Sequence, residues 1–241
     1  ATVKKYNRLF QRVAREASAV RDLDVFLIFL NEYKRKMRSE RQRQSLRELI
    51  ADIRQKREGL QHGMSKALKK YAARLQPAVV TAVLRRRMSI ADQDVTQTMM
   101  DIFQQRVEKS VTHLLAYNVI VPYPEKKQAL HEMRIRAKHL RYTLEGIKPY
   151  FDTRIQLYIG RALFFHKILG EIHDFDVWME MLDHYRPEHK LNSDMGNTLN
   201  VLYNYLKRVR AIRYRMFVQQ WHHALKNRQF EDMLEFVYAH H

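Results

Sequence analysis

The sequence predicts an all-α protein, and three observations predict it. Apolar residues return every three or four positions from one end of the chain to the other, the period of a helix face. Only 6 glycines and 5 prolines occur among 241 residues, too few turn formers for a fold built from hairpins. Apolar residues make up 46% of the chain, enough at this length to bury a sizeable core.

The periodicity predicts helices over 3–20, 23–38, 41–75, 78–88, 91–118, 125–149, 153–172, 175–186, 195–227 and 229–239. Asp22, Ser89 and Asp174 stand where N-caps are expected, because a short oxygen-bearing side chain there can accept from the first free backbone N–H groups. Pro77 suits the first position of a helix, where its missing N–H costs nothing. Val121-Pro122-Tyr123-Pro124 is the clearest break, at mid-chain, and a second loop is expected from Arg186-Pro187 to Gly196.

Lys and Arg number 44 against 26 Asp and Glu, a net charge of +18. The excess is spread over nearly every segment rather than gathered in a tail, which fits a charged surface or cavity assembled by folding. Its partners are polyanions: nucleic acid, an acidic membrane surface or another phosphate-rich chain. The absence of cysteine excludes disulfides, thiolate metal sites and cysteine nucleophiles. No apolar run approaches the length of a membrane span, and the N-terminus carries no signal-peptide core, so a soluble cytoplasmic protein is expected, with no membrane partner.

The most informative stretch runs from Leu130 to Glu145. On a helix turning about 100° per residue, His131, Arg134, Lys138, Arg141, Tyr142 and Glu145 share about 100° of arc. Met133, Leu140, Leu144 and Ile147 lie on the opposite side. Four basic groups thus line up over about 15 Å of helix. Aligned cations repel one another unless an anion offsets them, so this stripe is the first candidate anion site. Further basic groups recur at helical spacing: Arg8, Arg12 and Arg15 near the start, Arg54 and Arg57, Lys167, and Lys207, Arg210 and Arg213. A solvated face or an intrahelical ion pair is the plain alternative for each of these smaller groups.

The chain also resembles itself. Val20-Arg21-Asp22-Leu23-Asp24-Val25 aligns with Ile172-His173-Asp174-Phe175-Asp176-Val177, an offset of 152 that also pairs Arg15 with Lys167 and Leu30 with Leu182. Ala67-Leu68-Lys69 aligns with Ala224-Leu225-Lys226 at an offset of 157. This suggests one domain over 1–241 made of two helical halves, 1–121 and 122–241. The same offset would place a partner of the His131 helix before residue 1, so a helix missing from the first half is expected.

Other signals point away from catalysis and metals. Asp22-x-Asp24 and Asp174-x-Asp176 read as capping and dipole-compensating acids rather than metal ligands, with a salt bridge to a binding cation as a second role. Among 12 histidines none forms His-Glu-x-x-His, and His222-His223 point to different sides of a helix. No Gly-rich phosphate loop and no Gly-x-Ser-x-Gly is present. No cofactor, no metal site and no catalytic residue is expected. Trp178, Trp221 and most Tyr and Phe residues sit at core spacing.

The His131, Arg134, Ile135, Lys138, Leu140, Arg141, Tyr142, Glu145 pattern, followed by Leu169-Gly170-Glu171-Ile172-His173-Asp174-Phe175-Asp176-Val177, resembles the CHAD family, the conserved histidine α-helical domain. The first half carries a version of the second motif over Ala17–Val25, with Ser18 at the glycine position. The resemblance covers essentially the whole chain. Two departures stand out: the missing first helix, and His139 where the family often has Arg. It implies two four-helix bundles related by a pseudo-twofold around a basic central cleft or pore. It implies binding of inorganic polyphosphate, in some members at polyphosphate granules, through His131, Arg134, Lys138 and Arg141 and the smaller basic groups named above. Phosphate or sulfate is expected to substitute for the polymer at such a site. Two readings compete with this non-enzymatic one. The first is a nucleic-acid-binding helical protein. The second is an accessory module of polyphosphate or nucleotide metabolism with weak hydrolase activity. Chain-length preference, biological role and oligomeric state have no signature in the sequence.

Overall fold

Val20, Leu23, Phe26 and Leu30 are spaced three or four residues apart, and in the computed structural model all four are buried along one continuous helix, α1 (Thr2–Lys36). The structure describes residues 2–72, 95–185 and 193–239. Ser39 then caps α2 (Glu40–Ala72), its Oγ accepting from the Gln42 N–H at 3.4 Å. Leu46, Leu49, Ile50 and Ile53 give α2 its buried stripe, and α2 packs along α1. α3 (Val95–Leu115) tightens into a short 3-10 turn over Ala116–Ile120. α4 (Lys127–Ile147) follows the proline-containing turn and ends in a second 3-10 turn, Lys148–Tyr150. α5 (Ile155–Tyr185), α6 (Asp194–Lys226) and α7 (Gln229–Ala239) complete the described chain. Arg228 turns α6 into α7 with φ 49, a left-handed conformation that glycine adopts more easily.

All the described elements are helical, as the composition predicts, and no strand occurs among the described residues. No described helix is long and apolar enough to cross a membrane. The described chain forms two compact units, one of residues 1–91 with 180–203 and one of 92–179 with 204–241. In the second, Trp221 is fully buried, with Phe165 at 5.3 Å and Phe230 at 5.4 Å between ring centres and its indole N–H donating to Asn118 Oδ1 at 2.8 Å.

Two boundaries differ from the sequence reading. The predicted helices 3–20 and 23–38 are one helix, and so are 153–172 and 175–186. Asp22 and Asp174 are therefore not N-caps; they lie inside α1 and α5. The capping signal was outvoted by packing. The apolar stripe passes each acid without a break, through Val20, Leu23 and Phe26 on α1 and through Ile172, Phe175 and Trp178 on α5, and no Gly or Pro interrupts it. The acids two residues on, Asp24 and Asp176, have guanidinium partners on other helices instead.

The buried stripes offer a further correspondence. At an offset of 153, Leu46, Leu49 and Ile53 of α2 correspond to Leu199, Leu202 and Leu206 of α6, all buried. Ser45 and Thr198, both buried, each return a hydroxyl to the carbonyl four residues earlier, at 3.3 and 2.8 Å. The predicted helix 78–88, Pro77, Ser89 and most of the 186–196 loop lie outside the described residues.

Candidate anion-binding site

α4 builds the site. Leu130, Met133, Ala137, Leu140, Leu144 and Ile147 form its buried stripe. His131, Arg134, Lys138 and Arg141 follow on an adjoining face and are each half-buried. The sequence-predicted stripe is therefore present as a continuous basic face within the second unit.

The turn that starts α4 is fixed from α6. The Tyr214 hydroxyl donates to the Val121 carbonyl, and an Arg210 Nη donates to the Pro124 carbonyl at 2.8 Å. Burial pushes the Tyr214 phenol up to about 12, so it stays protonated and able to donate. Arg210 also grips Asp176 of α5 through two hydrogen bonds, at 2.7 and 3.0 Å. Both side chains are about nine-tenths buried, at 11% and 8% exposure. Lys127, in the first turn of α4, approaches the same carboxylate at 3.6 Å. One acid thus ties α4, α5 and α6 together.

α5 supplies the second wall. Gly170 lies against Arg134: a Cβ built on the glycine would sit 3.9 Å from Arg134 Cδ. Alanine fits there in ordinary van der Waals contact. One turn further along α5, His173 meets His131, Nδ1 to Nδ1, at 3.2 Å, with ring centres 4.1 Å apart. The His173 imidazolium is disfavoured, its pKa pushed down to about 4, first by burial and then by the neighbouring His131 and Arg134 charges.

Further along the face, Arg141 Nε donates to Glu145 at 2.7 Å, which holds the guanidinium more firmly in its charged form than usual. Arg141 and Lys138 both lie over the Tyr142 ring, at 5.1 and 5.7 Å from its centre. Lys138 has no carboxylate within ion-pairing distance among the described residues. Arg213 Nε of α6 pairs with Glu171 of α5 at 2.7 Å, both partly exposed.

The remaining sequence candidates separate by environment. Lys167 and Lys207 are exposed, in the second unit. Arg15 and Arg54 are exposed, in the first. Arg57, also of the first, holds Asp24 at 2.7 and 3.4 Å and bonds to Gln61. The side chains of Arg8 and Arg12, on α1, lie outside the described residues. Arg57 and Arg210 therefore act on carboxylates of their own units, the second role foreseen for Asp24 and Asp176.

His173, Lys127 and Glu171 were not singled out from sequence as parts of this site. His173 occupies an unspecified position of the Leu169–Val177 motif. The available signal was spacing: residue 173 stands three beyond Gly170 and so shares its helix face.

The family model described as the CHAD domain matches residues 1–183, about three quarters of the chain. No curated protein matches it.

Proposed function

The chain belongs to the CHAD family, and from that membership and the α4 face we propose that it binds inorganic polyphosphate without catalysing a reaction on it. The observation that carries the reading is the run of His131, Arg134, Lys138 and Arg141 beside a buried stripe, braced from α5 and α6. Polyphosphate presents about one negative charge per phosphate and no base edges, so charge-assisted hydrogen bonds and counterion release must carry recognition. Arg134 offers a planar fork to non-bridging oxygens, and Lys138 a mobile point charge. Arg141 contributes the part of its fork that Glu145 leaves open. Lys167 and Lys207, exposed in the same unit, add to its positive potential. Arg210 and Asp176 act beneath it, holding the helix rather than the ligand. The matching acid–arginine pairs and burial patterns of α1–α2 and α5–α6 further support two related halves.

The test is a triple variant, Arg134→Ala, Lys138→Ala, Arg141→Ala. Its helicity should match the parent, because none of the three belongs to the buried stripe. Polyphosphate affinity at physiological salt should fall at least tenfold, and the salt dependence of log K should flatten by about 2 for three lost contacts. Unchanged affinity would remove the α4 face from the site. Competition separates the nucleic-acid reading: long-chain polyphosphate should displace duplex DNA, and the reverse outcome would favour DNA. Phosphate release on incubation would favour the hydrolase reading.

A further inference from the structure

The His131–His173 contact crosses from α4 to α5 at the foot of the basic face, with Arg134 one turn along from His131. A hydrogen bond between two Nδ1 atoms needs one proton between two nitrogens: one ring donates, the other accepts. A second proton on that axis, taken up by the accepting ring, would set two donors face to face, so protonation of that ring breaks this geometry. We infer that His173 is a positioning residue that holds His131 in a single-proton pair, and that binding of polyphosphate on α4 is coupled to uptake of a proton by that pair. The inference rests on the polyphosphate reading above.

The surroundings agree with this assignment. Burial opposes a charge on His173 most, and the neighbouring His131 and Arg134 add to it. On α6, Arg210 is met by Asp176 and Arg213 by Glu171, each at 2.7 Å. Lys127, four residues before His131, also faces Asp176. Glu132, next to His131 in sequence, is held by the Tyr117 hydroxyl at 3.1 Å and by Gln128 at 3.2 Å. Asp174, beside His173 in sequence, is half-buried on α5. An arriving phosphate chain supplies the anion that compensates a second proton, and His131 is the member of the pair that lies on the binding face. Protonation then frees His131 to turn its Nδ1–H from His173 towards phosphate oxygen. Two imidazoles alone do not make a metal centre: no group of three His, Asp or Glu side chains able to hold a metal occurs among the described residues.

The experiment is calorimetric titration of the full chain with polyphosphate of defined length, from pH 5 to 8. Each pH is run in two buffers of different ionisation enthalpy, which counts the protons taken up. The parent, His173→Gln and His131→Gln are compared, so that titration of the terminal phosphates and of the other histidines cancels. Net uptake approaching one proton is expected in the parent, with affinity rising up to about tenfold per pH unit below neutrality. In His173→Gln the amide can still accept from His131 but carries no competing proton. Its rise should move to higher pH, by about one unit, at little cost in affinity near pH 5. In His131→Gln the uptake assigned to the pair should vanish while binding persists through Arg134, Lys138 and Arg141. Identical proton counts and pH profiles in all three proteins would overturn the coupling and leave polyphosphate binding standing. No binding at any pH, with folding intact by circular dichroism, would overturn both.

Discussion

Asp24–Arg57 and Asp176–Arg210 are the same interaction in two settings. Each joins an acid in mid-helix to an arginine on the following long helix or its counterpart, with an Nε–carboxylate distance of 2.7 Å. In the first unit the partners remain 43% and 27% exposed; in the second they are 8% and 11% exposed. The exposed pair competes with water and gains little beyond its own two hydrogen bonds. The buried pair has lost its water, so each charge depends on the other, and the spare donors have been put to use: Arg210 reaches the Pro124 carbonyl, and Asp176 also faces Lys127. One motif is a surface ion pair in one place and, in the other, a joint that sets the start of the binding helix. The carboxylate and guanidinium alone do not determine which.

Fluorescence and circular dichroism can separate the two settings, because both tryptophans, Trp178 and Trp221, belong to the second unit. The largest effect is expected for Asp176→Ala, which leaves Arg210 buried without its carboxylate. About 3 kcal/mol should be lost from the urea transition followed by tryptophan fluorescence. Replacing Asp176 and Arg210 together with Leu and Met should recover much of that stability, because the unmatched charge goes with its partner, while polyphosphate affinity should stay reduced.

Acid should produce the next effect, also in the second unit. The folded pKa of His173, about 4, lies below its ordinary 6.5, so between those values the unfolded chain binds more protons. Stability is complete above about pH 6.5 and declines as pH falls towards 4. Allowing for solvent screening of a partly exposed ring, the loss is roughly 1 to 2 kcal/mol. His173→Gln should flatten the decline measured by urea denaturation at pH 7 and pH 4.5. The residue 152 positions earlier is Arg21, exposed, so no histidine stands at the matching place in the first unit.

The smallest effect is expected for Asp24→Asn. Its urea midpoint should be nearly that of the parent by circular dichroism and unchanged by tryptophan fluorescence. A loss as large as that of Asp176→Ala would show that exposure does not distinguish the two pairs.

The sequence determined the helical class, the proline break before α4, the amphipathic division of α4, and the basic residues on its outer face. These depend on local spacing and composition, which a linear chain displays in full. It also marked Asp24 and Asp176 as unusual, but read Asp22 and Asp174 as helix starts, because a short acid after an apolar run satisfies the local rule for a cap. Only the tertiary structure decided that α1 and α5 continue through Asp22 and Asp174, and that Asp24 and Asp176 meet guanidiniums from residues 33 and 34 positions away. The same holds for His173. Its chemistry was in the sequence, but its meeting with His131 across 42 residues exists only where α5 packs on α4. Local period fixes which residues share a face. Packing between distant helices fixes which charges are buried, and therefore which of them brace the site and which remain available to a ligand.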